Sequence, residues 1–297
     1  MSFARTRPRR VVAVMMVAAV ATGVAVSGIP GALAANRLAG AYVALGDSYT
    51  AGPGIPNQRQ DAGLCARSDH NYPTLVAQAV EPTAGFKDVS CSGALTDAMA
   101  NSFLGQPPQF NALDANTTLV TIGIGGNDAG FGPDTINCVL LFFNNMTGAP
   151  CKANFTQGGT DQIDATIRQT GPKVAAVVQG VHQRAPQAKV LLIGYPDLLP
   201  NDKAKCDPNV QVPIATGDFP YLESKIREFN TLLQTVAAQG NATYVDTFTT
   251  SVGHDLCQAP GIRWIEGIVN VQNAVPVHPN ALGMQNDARQ ILAALGR

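Results

Sequence analysis

Four short apolar runs, each stopping at a glycine or an aspartate, constrain this chain more than any other feature. They are AYVALG (41–46), TLVTIGIGG (118–126), KVLLIG (189–194) and ATYVD (242–246). Apolar character that is continuous rather than alternating marks strands covered on both faces, the pattern of a parallel sheet. FKDVSC (86–91) is a weaker fifth candidate. Helical stretches separate the runs. Within 163–184, Ile163, Ile167, Val174, Val178 and Val181 fall near the spacing of one helical face. The segment 219–240 is similar and ends at Gly240, a residue suited to a C-cap. A last helix is expected over about 280–295, just after a proline. Strand–helix alternation of this kind implies an α/β fold, a doubly wound sheet with helices on both faces. Ligands of such folds sit outside the carboxyl ends of the strands. The Pro-, Gly- and Asn-rich stretches 53–72, 130–160 and 196–218 lack periodicity and read as long loops.

Three stretches at expected strand or helix ends carry candidate chemistry. In VALGDSYTAG (43–52), Ser48 follows the glycine that ends a strand. A helix N-terminus there would offer free N–H groups and a dipole that favour developing negative charge. The position suits an N-cap serine just as well, so Ser48 alone leaves both readings open. The turn is not a G-x-S-x-G nucleophile elbow, because Thr50 stands two residues after the serine. GIGGNDAG (123–130) ends another strand in glycines that let backbone approach a ligand. Its Asn127 offers a neutral amide donor for an oxyanion, although Gly, Asn and Asp are also the ordinary turn residues. VPVHPNALG (275–283) places His278 in a Pro-flanked turn before the last helix. An imidazole there can take the proton of Ser48, whose hydroxyl is a weak nucleophile without a base. Read singly, it has the usual fate of a lone histidine, a solvated place in a loop.

Together with SCSGALT (90–96), these stretches resemble the SGNH (GDSL) hydrolase family in residue type, order and spacing. GDSYTAG matches the first block, Gly93 the glycine of the second, GGND the third, and VHPN the His-Pro block. The six-cysteine layout and TYVDTFTTSVGHDLC (243–257) resemble more particularly the secreted actinobacterial lipase/esterase branch, as in Streptomyces. The resemblance implies a three-layer α/β/α sandwich around a central parallel sheet, flavodoxin-like, with long disulfide-tied loops. It implies Ser48 as nucleophile and His278 as general base and then acid. The oxyanion hole would be the backbone N–H groups of Ser48 and Gly93 with the Asn127 side-chain amide. The reaction implied is hydrolysis of carboxylic acyl esters, lipids included, through an acyl-enzyme, with no cofactor. An acetyl esterase for polysaccharide is the alternative on this scaffold, and a catalytically silent binding module is another. Asp47 reads as structural. One departure stands out: the family usually has an aspartate three residues before the histidine, and here that residue is Val275. The expected substitute is the main-chain carbonyl of Val275, with the Asp246 carboxylate as the competing candidate. Phe131, Phe142, Phe143, Tyr195 and Trp264 are candidates to line an acyl groove.

The N-terminus reads as an address rather than as fold. RTRPRR, the apolar VVAVMMVAAVATGVAV and the small residues Ala32–Ala34 have the form of a signal peptide over 1–34. Cleavage near Ala34 would secrete a hydrolase domain spanning 35–297. All six cysteines, Cys65, Cys91, Cys138, Cys151, Cys206 and Cys257, lie beyond that site. An even count in an exported chain argues for disulfides, and chain order favours nearest neighbours among the fifteen connectivities: 65–91, 138–151 and 206–257. Each would close a loop of about 13 to 51 residues, worth about 3–4 kcal/mol in the chain-entropy account. No C-x-x-C or H-E-x-x-H spacing points to a metal. With a net charge of −1 and 14% charged residues there is no basic stripe, which argues against a nucleic-acid partner. The expected partners are a small-molecule or lipid ester and a lipid surface met transiently, and the expected state is a monomer.

Overall fold

Five strands form one sheet: β1 (Ala41–Gly46), β2 (Phe86–Asp88), β3 (Thr117–Gly123), β4 (Lys189–Ile193) and β5 (Thr243–Val245). Their spatial order is β2-β1-β3-β4-β5, and every neighbouring pair is parallel. This is the flavodoxin-like order, which reverses between β1 and β3 and so opens a crevice at their carboxyl ends. The weak candidate at 86–91 is the edge strand β2, reduced to three residues. The computed structural model describes residues 1–2 and 37–297. The expected export segment therefore lies outside the described residues, except for its first two. Asn36–Arg297 forms one compact unit.

The helices are α1 (Ser48–Ala51), α2 (Tyr72–Val80), α3 (Phe131–Phe142), α4 (Pro150–Phe155), α5 (Gln162–Arg184), α6 (Phe219–Gln239), α7 (Phe248–Ser251) and α8 (Ala281–Ala294). Period-two side-chain alternation along the strands decides the layers. Tyr42, Ala44, Leu119, Leu191 and Ile193 turn to one face, where they meet Val76 and Val80 of α2 and Met284 and Ile291 of α8. Val43, Leu45, Val120, Ile122, Val190 and Leu192 turn to the other, against Ile167, Val174 and Val178 of α5 and Phe229 and Leu233 of α6. Each such aliphatic side chain, fully buried, contributes about 1.5–3 kcal/mol. Both faces are covered, and this is why the central strands read as unbroken apolar runs.

Two expectations are corrected. The stretch 130–160 is not loop throughout, for it contains α3 and α4. Within α3 only Cys138 is buried, while Ile136 and Leu140 are 64% and 63% exposed. Besides Cys138, only Phe131 and Val139 of α3 pack half-buried against the core, so its helical period is faint. Likewise Tyr72 begins α2 instead of ending a loop, with Asn71 capping it by accepting the Thr74 N–H at 3.1 Å. Asn241 is the left-handed residue after α6, at φ 55°, and its neighbour Gly240, at φ −93°, is the C-cap of that helix, as expected. Glycine is required there by packing: a Cβ would lie 2.9 Å from Val178 Cγ1. Disulfides join Cys65 to Cys91, Cys138 to Cys151 and Cys206 to Cys257. The second ties α3 to α4, and the third ties the loop after β4 to the segment after α7.

Candidate active site

The end of β1 is built so that Ser48 has no structural duty. A Cβ on Gly46 would fall 2.1 Å from Thr50 Oγ1 and 2.6 Å from the Gly123 carbonyl, so only glycine lets the chain turn here. Gln109 brackets that glycine, accepting its N–H at 2.8 Å and donating to its carbonyl at 2.9 Å. The N-cap of α1 is Asp47, whose Oδ1 accepts the Tyr49 N–H at 2.9 Å. Ser48 is thereby released from capping. Its Oγ instead lies 2.8 Å from His278 Nε2.

Asp47 also links β1 to the turn after β3. Its Oδ2 accepts the Tyr195 hydroxyl at 2.5 Å, and Tyr195 Oη accepts the Gly126 N–H at 2.9 Å. Burial pushes the Asp47 carboxyl up to about 7, against the pull of those hydrogen bonds. A Cβ on Gly126 would stand 2.8 Å from the Tyr195 ring, so the turn needs glycine to accept this partner.

Asn127 reaches the site from that same turn. Its Nδ2 donates to the Ala94 carbonyl at 2.9 Å, which fixes the amide and leaves its second hydrogen for a ligand. The next residue, Asp128, binds the same loop from the other side. Its carboxylate accepts the Thr96 N–H and hydroxyl, each at 2.8 Å, and Lys173 Nζ at 3.2 Å. Gly93 sits in the loop so held, at φ 83°, a conformation that favours glycine. The amides of Cys91, Ser92 and Ala94 donate to carbonyls, whereas among the described residues no acceptor meets the Gly93 N–H. Gly93 does not itself line the main cavity.

His278 is presented by the turn 275–278. The Val275 carbonyl accepts the His278 backbone N–H at 3.2 Å, which closes the turn. That carbonyl is therefore engaged, and the ring Nδ1–H donates to the Pro276 carbonyl at 2.8 Å. The expected acceptor at Val275 is corrected to Pro276. The cause lies in the backbone: Val277 at φ 63° swings the ring back over the second residue of the turn. A β-branched residue in this conformation costs about 1–3 kcal/mol. Burial lowers the His278 pKa below its ordinary 6.5, partly offset by the Pro276 bond. The imidazole is therefore neutral at pH 7, with Nε2 free to accept a proton. Asp246 takes no part: its two oxygens accept the Thr249 N–H at 3.0 Å and the Thr249 hydroxyl at 2.6 Å, in an exposed cap. Replacing Asp246 with Asn is expected to leave kcat within about twofold, as a surface change away from the site. An ester assay on the variant checks this, and a collapse in turnover with an unchanged melting temperature would restore the carboxylate.

Ser48, Asn127, Val275 and His278 share one cavity of about 440 Å³. Its remaining wall is largely apolar, with Phe131, Ile136, Val139, Leu140, Leu198 and Ile268 among its residues. A smaller cavity of about 50 Å³ adjoins it, sharing Phe131, Thr135, Leu198, Ile268 and Val277. Of the aromatic candidates, Phe131 and Tyr195 line the main cavity. Phe142, Phe143 and Trp264 do not, and Trp264 is stacked on His254 with ring centroids 3.8 Å apart. Among the described residues no group of three or more His, Cys, Asp or Glu is placed to hold a metal ion.

A parallel three-layer sheet, with a serine and a histidine meeting in an apolar cavity at its switch point, is the architecture of an α/β/α ester hydrolase. The chain belongs to the GDSL-like Lipase/Acylhydrolase family, whose profile matches residues 44–285. It is similar to "Lipase 2" of Streptomyces coelicolor, at 39% identity over 263 residues, covering 86% of this chain and 85% of that protein. It is also similar to the "Lipase" of Streptomyces rimosus, at 32% identity over 273 residues, covering 90% and 91%. Among solved structures, phospholipase A1 from Streptomyces albidoflavus superposes with a TM-score of 0.72 at 29% identity, covering 86% of this chain and 99% of that one. The extracellular lipase of Streptomyces rimosus gives 0.70 at 29% identity over the same shares. The protein is a carboxylic ester hydrolase of the lipase/esterase type, and the reading as a silent binding module gives way to an enzyme.

Proposed function

We propose that the protein is a secreted serine lipase/esterase, released by cleavage near Ala34, whose domain begins near residue 35. The observation that carries the mechanism is the 2.8 Å contact between Ser48 Oγ and His278 Nε2 at the edge of an apolar cavity. Ser48 Oγ attacks the ester carbonyl while His278 Nε2 takes its proton, with Nδ1–H held by Pro276. The oxyanion is received by the Ser48 and Gly93 N–H groups and the second Nδ2 hydrogen of Asn127. His278 then returns the proton to the leaving alcohol. A water deprotonated by the same nitrogen cleaves the acyl-enzyme, freeing the acid and restoring Ser48. A carbonyl in place of a carboxylate behind the histidine fixes its tautomer but provides only a partial charge to the imidazolium.

The wall formed by Phe131, Ile136, Val139, Leu140, Leu198 and Ile268 supports an acyl chain longer than acetyl as the group bound beside Ser48. Its volume lies in the range of sites that enclose a small organic ligand. The names of the relatives agree with lipid substrates. A series of p-nitrophenyl esters from acetate to palmitate, run beside acetylated xylan, tests the assignment. Medium or long chains are expected to give the highest kcat/KM, with little acetate release from xylan. Preference for acetyl esters throughout would favour the polysaccharide esterase instead.

A further inference from the structure

The turn that presents His278 holds a residue poorly suited to its conformation, and one side chain answers it. Pro276 stands second and Val277 third in the turn, with φ 63° at Val277. Proline second and a left-handed residue third is the pattern of a type II turn, whose third position favours glycine or asparagine. A β-branched residue is an outlier there. Valine has a use at this place, because its side chain lines both cavities. The backbone strain therefore has to be held from elsewhere. The Tyr49 hydroxyl donates to the Val277 carbonyl at 2.5 Å. The Tyr49 ring lies 5.0 Å from the His278 ring and 4.9 Å from the Tyr195 ring. On the far side, the Val277 N–H donates to the Glu266 carbonyl at 2.9 Å, and the His278 carbonyl accepts the Glu266 N–H at 2.8 Å. Glu266 is itself buried, paired with Arg263 and accepting the Asn273 N–H at 3.2 Å.

We propose that Tyr49 is a positioning residue for the reaction. By gripping the Val277 carbonyl, its hydroxyl keeps the strained turn closed and supplies the orientation of His278 that an aspartate three residues upstream would otherwise give. The proposal rests on the Ser48–His278 reading above. It also explains the order of the first motif, since Tyr49 directly follows the residue that His278 must meet.

Tyr49→Phe keeps the ring and its tilted packing on His278 and Tyr195 and removes only the hydroxyl. Its kcat is expected to fall about 10- to 100-fold, as for a misplaced catalytic group, with KM within about twofold. The rate at which a fluorophosphonate labels Ser48 should fall in parallel. Val277→Gly supplies the discriminating background, because glycine enters the left-handed region without strain. In that background Tyr49→Phe is expected to cost less than about threefold in labelling rate, the non-additivity of coupled sites. Were Tyr49→Phe alone to fold poorly, the double variant should recover both folding and labelling. Wild-type labelling by Tyr49→Phe, equal losses in both backgrounds, or a folded double variant as slow as the single one would each overturn the proposal. The first of these results leaves the Ser48–His278 reading standing. Labelling that persists in Ser48→Ala would instead overturn that reading.

Discussion

Ser48→Ala is expected to reduce ester turnover about 10⁴- to 10⁶-fold while leaving the melting temperature nearly unchanged. The two halves of this expectation have separate causes. The catalytic loss follows because, among the described residues, Ser48 carries the hydroxyl that bonds His278 Nε2, so without it no acyl-enzyme can form by this route. The structural silence follows because the cap of α1 belongs to Asp47, and the turn is held by Gln109 on Gly46 and by Tyr195 on Asp47. Among the described residues, removing Oγ takes from the fold one hydrogen bond, that to His278. His278→Ala should lose about as much, and the double variant little more, because the two residues act as one unit. A fluorophosphonate should add once to the oxidised wild-type protein, at Ser48, and not to the Ser48→Ala variant. If folded Ser48→Ala keeps more than about a hundredth of the wild-type rate, the nucleophile lies elsewhere.

Legibility in the sequence tracks how local the cause of each feature is. The strands could be read because burial on both faces writes itself as an unbroken apolar run, as at Val43–Leu45 and Val120–Ile122. α5 and α6 could be read because each turns one stripe inward. α3 could not, because Ile136 and Leu140 face a cavity and solvent, which breaks up the stripe that Phe131, Cys138 and Val139 turn to the core. Within the site, the order Ser48, Asn127, His278 could be read through the family blocks, and these three do meet at one cavity.

The contacts that support the site were hidden, and for physical reasons. Gln109 lies 63 residues from the glycine it brackets, and nothing in an isolated glutamine announces a backbone partner. Tyr195 appeared only as an apolar candidate, while its hydroxyl is what joins Asp47 to Gly126. The acceptor behind His278 shifted from Val275 to Pro276 because a positive φ at Val277 decides it, and valine is among the last residues from which such a φ would be expected. Asp47 as the cap, by contrast, was open to inference: aspartate is as good an N-cap as serine, and it stands one residue earlier.

The same distinction between a side chain that holds the fold and one that meets the transition state governs Asn127. Asn127→Ala is expected to lower kcat about 10²- to 10³-fold, equivalent to about 3–4 kcal/mol in the barrier, with KM changed much less. An oxyanion donor bonds most strongly to the charge of the tetrahedral intermediate, so its loss falls on kcat rather than on ground-state binding. Asn127 also donates to the Ala94 carbonyl, so part of any loss could come through the Gly93 loop. The loop has its own anchor, however, in the two bonds from Thr96 to Asp128. Thr96→Val removes one of those anchors without touching the amide and should cost much less than Asn127→Ala. Asn127→Asp separates the roles further: it keeps the shape but sets a carboxylate oxygen against the Ala94 carbonyl and brings negative charge to the place where an oxyanion must form. That variant should be at least as impaired as Asn127→Ala, with its fluorophosphonate labelling slowed in step. Near-wild-type turnover in Asn127→Ala would remove the amide from the oxyanion hole and leave the charge to the Ser48 and Gly93 amides alone.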